Sequence, residues 1–247
     1  MVGYQKLTIQ PGLNLIGTGF LEVGTKTEYA LKDLFHGTDV ASAKAGGDML
    51  EGDLIQLFDA AANKKGYFTQ YYFYTSGGVD GPDYDDKWYD VTNEEEPTEE
   101  AIIATDGFWY NYRGTSAITL TTAGEVSPDN VEITIQPGLN LITYPFPADF
   151  DFTSLDWVAA GATAGGDMIE GDLIQLFDAA PDKKGYFTQY YFYTSGGVDG
   201  PDYDNKWYDV TNEEEPTTAK IPAASGFWYN HKGSTAFTIT FPSPLAD

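Results

Sequence analysis

The chain has 247 residues, of which 42% are apolar and 15% aromatic, enough to fill a core and too much for a disordered acidic tail. Its 38 acidic residues against 13 basic ones leave a formal charge of −25, which repels nucleic acid and anionic membranes and attracts cations. The absence of Cys excludes disulfides, thiolate metal sites and cysteine nucleophiles, and no apolar run approaches the ~20 residues of a membrane span.

From the start, Met1-Val2-Gly3-Tyr4 does not resemble a signal peptide. Strand-like runs then come at short intervals: Lys6–Gln10, Leu13–Gly17, Asp53–Asp59, Gly66–Thr75, Lys87–Thr92, Gly107–Tyr112 and Ala117–Thr122. Each is rich in β-branched or aromatic residues, and Gly, Pro, Asp or Asn separate most of them. A helical turn is expected over Glu28–Phe35, where Tyr29, Leu31, Leu34 and Phe35 follow helical spacing loosely, and another over Phe152–Val158.

The run Gly66–Thr75 places Tyr67, Thr69, Tyr71 and Phe73 on one face and Phe68, Gln70, Tyr72 and Tyr74 on the other. Aromatics on both faces imply that the outer one is covered, by a loop, by another part of the chain or by another molecule.

Gly46–Thr98 then returns as Gly165–Thr217 with four differences: Leu50/Ile169, Ala62/Pro181, Asn63/Asp182 and Asp86/Asn205. Upstream, Gln10–Ile16 returns as Gln136–Ile142, and downstream Gly107–Asn111 returns as Gly226–Asn230. The offset falls from 126 to 119, so copy one carries seven extra residues between Ile16 and Gly46. A boundary near Ser127-Pro128-Asp129-Asn130 gives repeats over 1–127 and 128–247, the second running from Val131–Ile135 to Ala236–Thr240. The expected fold is all-β: two tandem β-sandwich or barrel-like domains of about seven strands each.

Catalysis finds little support. His36 and His231 do not recur between the copies, and Ser76 and Ser195 recur without a paired base. The carboxylates Asp48, Glu51 and Asp53, repeated as Asp167, Glu170 and Asp172, could supply a glycosidase pair but read better as the turn before a strand. Gly77-Gly78 and Gly196-Gly197 read as tight turns. The loop Asp80-Gly81-Pro82-Asp83-Tyr84-Asp85-Asp86 recurs as Asp199-Gly200-Pro201-Asp202-Tyr203-Asp204-Asn205. Its oxygen donors Asp80, Asp83, Asp85 and Asp86, with Asp199, Asp202, Asp204 and Asn205, suit calcium, and Glu94–Glu96 and Glu213–Glu215 could add to them. A solvated acidic turn is the plainer reading of the same residues.

Each copy runs Gly-Leu-Asn-Leu-Ile, then Gly-Asp-Leu-Ile-Gln-Leu-Phe-Asp, then Gly-Phe-Trp-Tyr and a Thr-rich final strand. In this it resembles the uncharacterised β-rich repeat domains of large exported and cell-surface bacterial proteins. That resemblance implies an architectural or adhesive role, an extracellular or cell-surface location and no catalytic residues.

Two functions are expected. The first is a self-assembling subunit of a fibre, sheath or surface layer, its partner a second copy of itself. Equivalent surfaces, strand addition by Tyr4–Gln10 and Ala236–Phe241, and charge neutralisation by bound cations would drive it. The second is a tandem carbohydrate-binding or adhesin module for a polysaccharide. Ligand or assembly candidates are Tyr72, Tyr74, Trp88 and Trp109, with Tyr191, Tyr193, Trp207 and Trp228; the Trp residues are equally at home in a core.

Overall fold

The computed structural model describes residues 1–20, 28–33, 43–61, 66–180, 182 and 185–246. Within them the chain is all-β, with several sheets and no closed barrel. In the first repeat the strands are β1 (Val2–Ile9), β2 (Gly12–Ile16), β3 (Glu28–Ala30), β4 (Leu54–Asp59) and β5 (Tyr67–Tyr74). They continue as β6 (Lys87–Asp90), β7 (Ala101–Ile103), β8 (Phe108–Tyr112) and β9 (Ile118–Glu125). The second repeat supplies β10 (Val131–Ile135), β11 (Gly138–Thr143), β12 (Leu173–Asp178), β13 (Tyr186–Tyr193), β14 (Lys206–Asp209), β15 (Gly226–His231) and β16 (Phe237–Phe241).

Each repeat builds the same five-stranded antiparallel sheet, in the order β2-β8-β4-β5-β6 and β11-β15-β12-β13-β14. A two-stranded ribbon accompanies each, β1 with β9 and β10 with β16. The first and last strands are therefore laddered inside their own repeats: β1 pairs with β9 over eight residues, Val2↔Glu125 to Ile9↔Ile118. This corrects the expectation that the terminal strands are free to complete a neighbour's sheet, since donating either would break an existing ladder.

The pairing of β3 with β7 was missed in the sequence, because three-residue strands carry too little alternation to register. Copy two reduces this pair to the single bridge Phe150↔Ile221. Of the expected helical turns, copy one forms a 3-10 turn at Leu31–Asp33, and Leu34, Phe35 and His36 lie outside the described residues. In copy two a 3-10 turn at Phe152–Ser154 leads into α1 (Trp157–Ala160). Asp156 caps α1 by accepting from the Ala159 N–H at 3.0 Å, and Gly161 closes it in the left-handed region. No helix among the described residues is long and apolar enough to cross a membrane.

The inner face of each sheet packs against its ribbon. Ile55, Tyr71, Phe73 and Tyr110 join Ile9 and Leu120 in the main core, and Ile174, Phe192 and Tyr229 join Ile135 and Ile239 in the same continuous cluster.

A clasp between the repeats also uses the outer faces. Trp109 stands edge-on to Phe177 at 4.9 Å and Phe187 at 6.4 Å; Trp228 does the same to Phe58 at 4.8 Å and Phe68 at 6.3 Å. The backbone repeats the exchange. Gly17 donates to the Ala224 carbonyl and Thr143 to that of Thr105, both at 2.9 Å, while Ile16 bridges Ser225 and Asp106 bridges Ile142. These ring and backbone contacts come in pairs under exchange of the repeats, so the interface has an internal twofold character. Gly107 and Gly226 make the approach possible. A methyl on either would lie 2.7 or 2.8 Å from the Ile142 or Ile16 carbonyl oxygen.

Candidate functional site

The acidic loop between β5 and β6 is organised by its own carboxylates. Asp85 accepts from the Ser76 N–H, from the Ser76 hydroxyl at 2.8 Å and from the Gly78 N–H at 2.8 Å. Asp204 accepts likewise from the Ser195 N–H and hydroxyl. These backbone donors, the Ser N–H first, hold both carboxyls below the usual Asp range. Gly77 and Gly78 turn the chain with φ of 73° and 94°, as do Gly196 and Gly197 at 72° and 95°. Asp86 and Asn205 sit at φ 57° and 58°, a left-handed conformation that Asp and Asn both tolerate. The exchange of one for the other at this position therefore has a backbone reason independent of any ligand.

Asp80 and Asp199 accept from the hydroxyls of Tyr74 (2.7 Å) and Tyr193 (2.6 Å), while Asp83 and Asp202 are exposed. Among the described residues no three of Asp, Glu or His converge as a metal-holding group.

The same loop completes a cup. In repeat 2 a cavity of about 290 Å³ is lined by Gly166, Tyr191, Tyr193, Asp199, Tyr203, Tyr208 and Glu213. The matching residues of repeat 1 are Gly47, Tyr72, Tyr74, Asp80, Tyr84, Tyr89 and Glu94. Register explains the convergence. Tyr72 lies opposite Tyr89 and Leu54 on the outer face, and Tyr74 is the next outward residue. The ring pairs Tyr72–Tyr74, Tyr72–Tyr89 and Tyr74–Tyr89 have centroids 6.2, 6.1 and 5.2 Å apart. Their counterparts in repeat 2 are 6.1, 6.0 and 5.3 Å apart. Tyr89 and Tyr208 donate to the Tyr84 and Tyr203 carbonyls at 3.2 Å, which ties the loop to the sheet.

Beneath the cup, Met49 packs with Leu54, Tyr72 and Tyr89. The run Gly46–Gly52 that carries Met49 hugs the end of β5: Gly46 donates to the Phe73 carbonyl at 3.0 Å, and a methyl on Gly52 would lie 2.3 Å from that oxygen. Asp48 accepts from the Leu50 and Glu51 N–H groups at 2.8 and 3.1 Å, making the turn read from the sequence.

Asp53 is not part of that turn's surface. It is fully buried, accepting from the Tyr110 hydroxyl at 2.6 Å, the Arg113 N–H at 2.7 Å and the Lys44 N–H at 2.8 Å. Burial raises its pKa above the usual Asp value, against those hydrogen bonds. Asp172 keeps the same frame through Tyr229, Lys232 and Thr163, and adds the His231 ring, whose Nδ1 lies 3.0 Å away. His231 therefore serves a buried hydrogen-bond network.

The sequence candidates divide accordingly. Tyr74 and Tyr193 are partly open and line the cups, and Tyr72 and Tyr191 form the buried cup floors. Trp88 and Trp207 are 5% and 2% exposed, packed on Phe73 and Phe192 at 5.2 and 5.1 Å, so they are core residues and offer no platform. Trp109 and Trp228 are spent on the clasp. Sequence reasoning missed Tyr84, Tyr89, Tyr203 and Tyr208 as cup residues. The signal lay in Tyr84 and Tyr203, set inside the Asp-rich loops, and in Tyr89 and Tyr208 on the strands that follow them.

Compared with protein-family models, curated proteins and solved structures, the chain matches none.

Proposed function

We propose that the chain is a non-catalytic tandem carbohydrate-binding module of the cell exterior, each repeat a small sandwich bearing one tyrosine- and carboxylate-lined cup. The observation that carries this reading is the cup itself: the same residues and nearly the same ring geometry occur twice, and in repeat 2 they line a cavity of about 290 Å³. Tyr rings offer apolar faces to sugar C–H groups, while carboxylates and phenol oxygens meet hydroxyls. Two such sites on one chain raise the affinity for a polymer through local concentration. A glycan array probed with the intact chain tests it. Binding that disappears with Tyr84→Ala/Tyr203→Ala supports the reading, and an array with no binding overturns it.

A self-assembling subunit is the second reading, favoured by one observation: among the described residues each ribbon has only two strands, leaving ladder edges for another copy. Calcium would act there by neutralising carboxylates such as Asp83 and Asp202. Negative-stain microscopy with and without millimolar calcium separates the two. Ordered fibres or sheets support assembly, and dispersed particles under both conditions remove it.

A further inference from the structure

Hydrogen bonding around the cup is one-sided. In repeat 2 Tyr193 gives its proton to Asp199 at 2.6 Å and Tyr208 gives its own to the Tyr203 carbonyl at 3.2 Å. The Tyr191 hydroxyl faces the Glu213 carboxylate. Repeat 1 repeats the pattern with Tyr74 on Asp80 at 2.7 Å, Tyr89 on Tyr84 at 3.2 Å and Tyr72 facing Glu94.

With those protons committed, the wall apart from the Tyr203 hydroxyl offers lone pairs on phenol and carboxylate oxygens, and among the described residues no Lys, Arg or His lines the cavity. Burial first, then the neighbouring Glu, pushes Tyr72 and Tyr191 up to about 12, so these hydroxyls stay neutral at physiological pH.

A neutral sugar hydroxyl both gives and accepts, and an acceptor-rich wall uses only half of that capacity. A primary ammonium is donor-only, with three N–H groups, and it gains from the carboxylates and from aromatic faces together. A quaternary ammonium has no N–H to meet the oxygens and would use the rings alone. We infer, resting on the carbohydrate reading above, that each cup recognises the protonated amine of an amino sugar.

The test is calorimetric titration of the intact chain with three hexamers of one β-1,4-linked glucose backbone. They differ only at C2, which carries a hydroxyl, an acetamido group or, at mildly acidic pH, a protonated amine. The amine hexamer should bind at least about tenfold more tightly than the other two. Glu94→Gln/Glu213→Gln should remove most of that preference, while the exposed pair Asp129→Asn/Glu132→Gln, outside the cups, should leave it intact. Equal binding of all three hexamers overturns amine recognition and leaves the carbohydrate reading standing. If no hexamer binds, both fall. A preference that drops equally in the two double variants is general attraction to a chain of charge −25, and it also overturns the inference.

Discussion

The outer face of each five-stranded sheet carries aromatic residues at both ends, with Gln56 and Gln70 between them in repeat 1, yet the two ends have different fates. Around Phe58 and Trp109 the other repeat packs against it, with Phe68 left 39% exposed at the margin, whereas the buried rings of Tyr72 and Tyr89, with the half-buried Tyr74, form a cup. The difference follows side-chain chemistry. Phe has no polar atom, so covering it releases water at no hydrogen-bonding cost. A Tyr hydroxyl needs a partner, and carboxylates such as Asp80 supply one at a wet rim. One strand, β5, thus fastens the repeats at its start and presents a site at its finish.

The sharpest way to break this contrast is at the fastened end. Trp109→Ala and Trp228→Ala should each cost about 2–4 kcal/mol in urea unfolding, below the value for a fully buried Trp because both rings are only partly covered. The two costs should agree, since each ring meets a Phe pair of the opposite repeat at nearly the same distance. Unequal costs would contradict the internal symmetry.

A smaller effect lies at the seam. Burial, then the Asp59 carboxylate, lifts Asp106 from an ordinary 3.8 to about 7. The folded chain therefore keeps a proton that the unfolded chain releases. This stabilising contribution is complete below about pH 4 and is lost as pH rises to about 7. Asp106→Asn should flatten that slope and raise stability above pH 7 by roughly 1–2 kcal/mol, read from urea midpoints at several pH values. The opposite seam carries Ser225 at the matching position, so Ser225→Asn should add no comparable change to the slope.

The smallest stability effect belongs to the open end. Tyr74→Phe and Tyr193→Phe remove exposed hydrogen bonds to Asp80 and Asp199, and should leave the urea midpoint essentially unchanged. A larger loss would make the cup a structural joint.

Much of this was readable in the chain itself. The duplication, the β class and most strands followed from repetition and alternation, and the covered outer face expected of Gly66–Thr75 is found only in part, with Phe68 39% exposed. What covers it could not be read, because Trp109 and Phe177 are far apart in sequence and meet only through a symmetry that periodicity does not encode. The acidic loop is hard to read for a related reason. Asp85 and Asp204 look like cation ligands in a linear run, and only the folded loop shows their oxygens turned onto Ser76 and Ser195. His231 and Asp172, 59 residues apart, met in the same unforeseeable way.

The central claim is one sugar site per repeat, and the most direct measurement is binding stoichiometry. A short oligosaccharide selected from the array should be titrated into the intact chain, into Tyr84→Ala and Tyr203→Ala separately, and into the double variant. Two sites, then one in each single variant, then none, is the result the two cups predict. A stoichiometry unchanged by either substitution would contradict them.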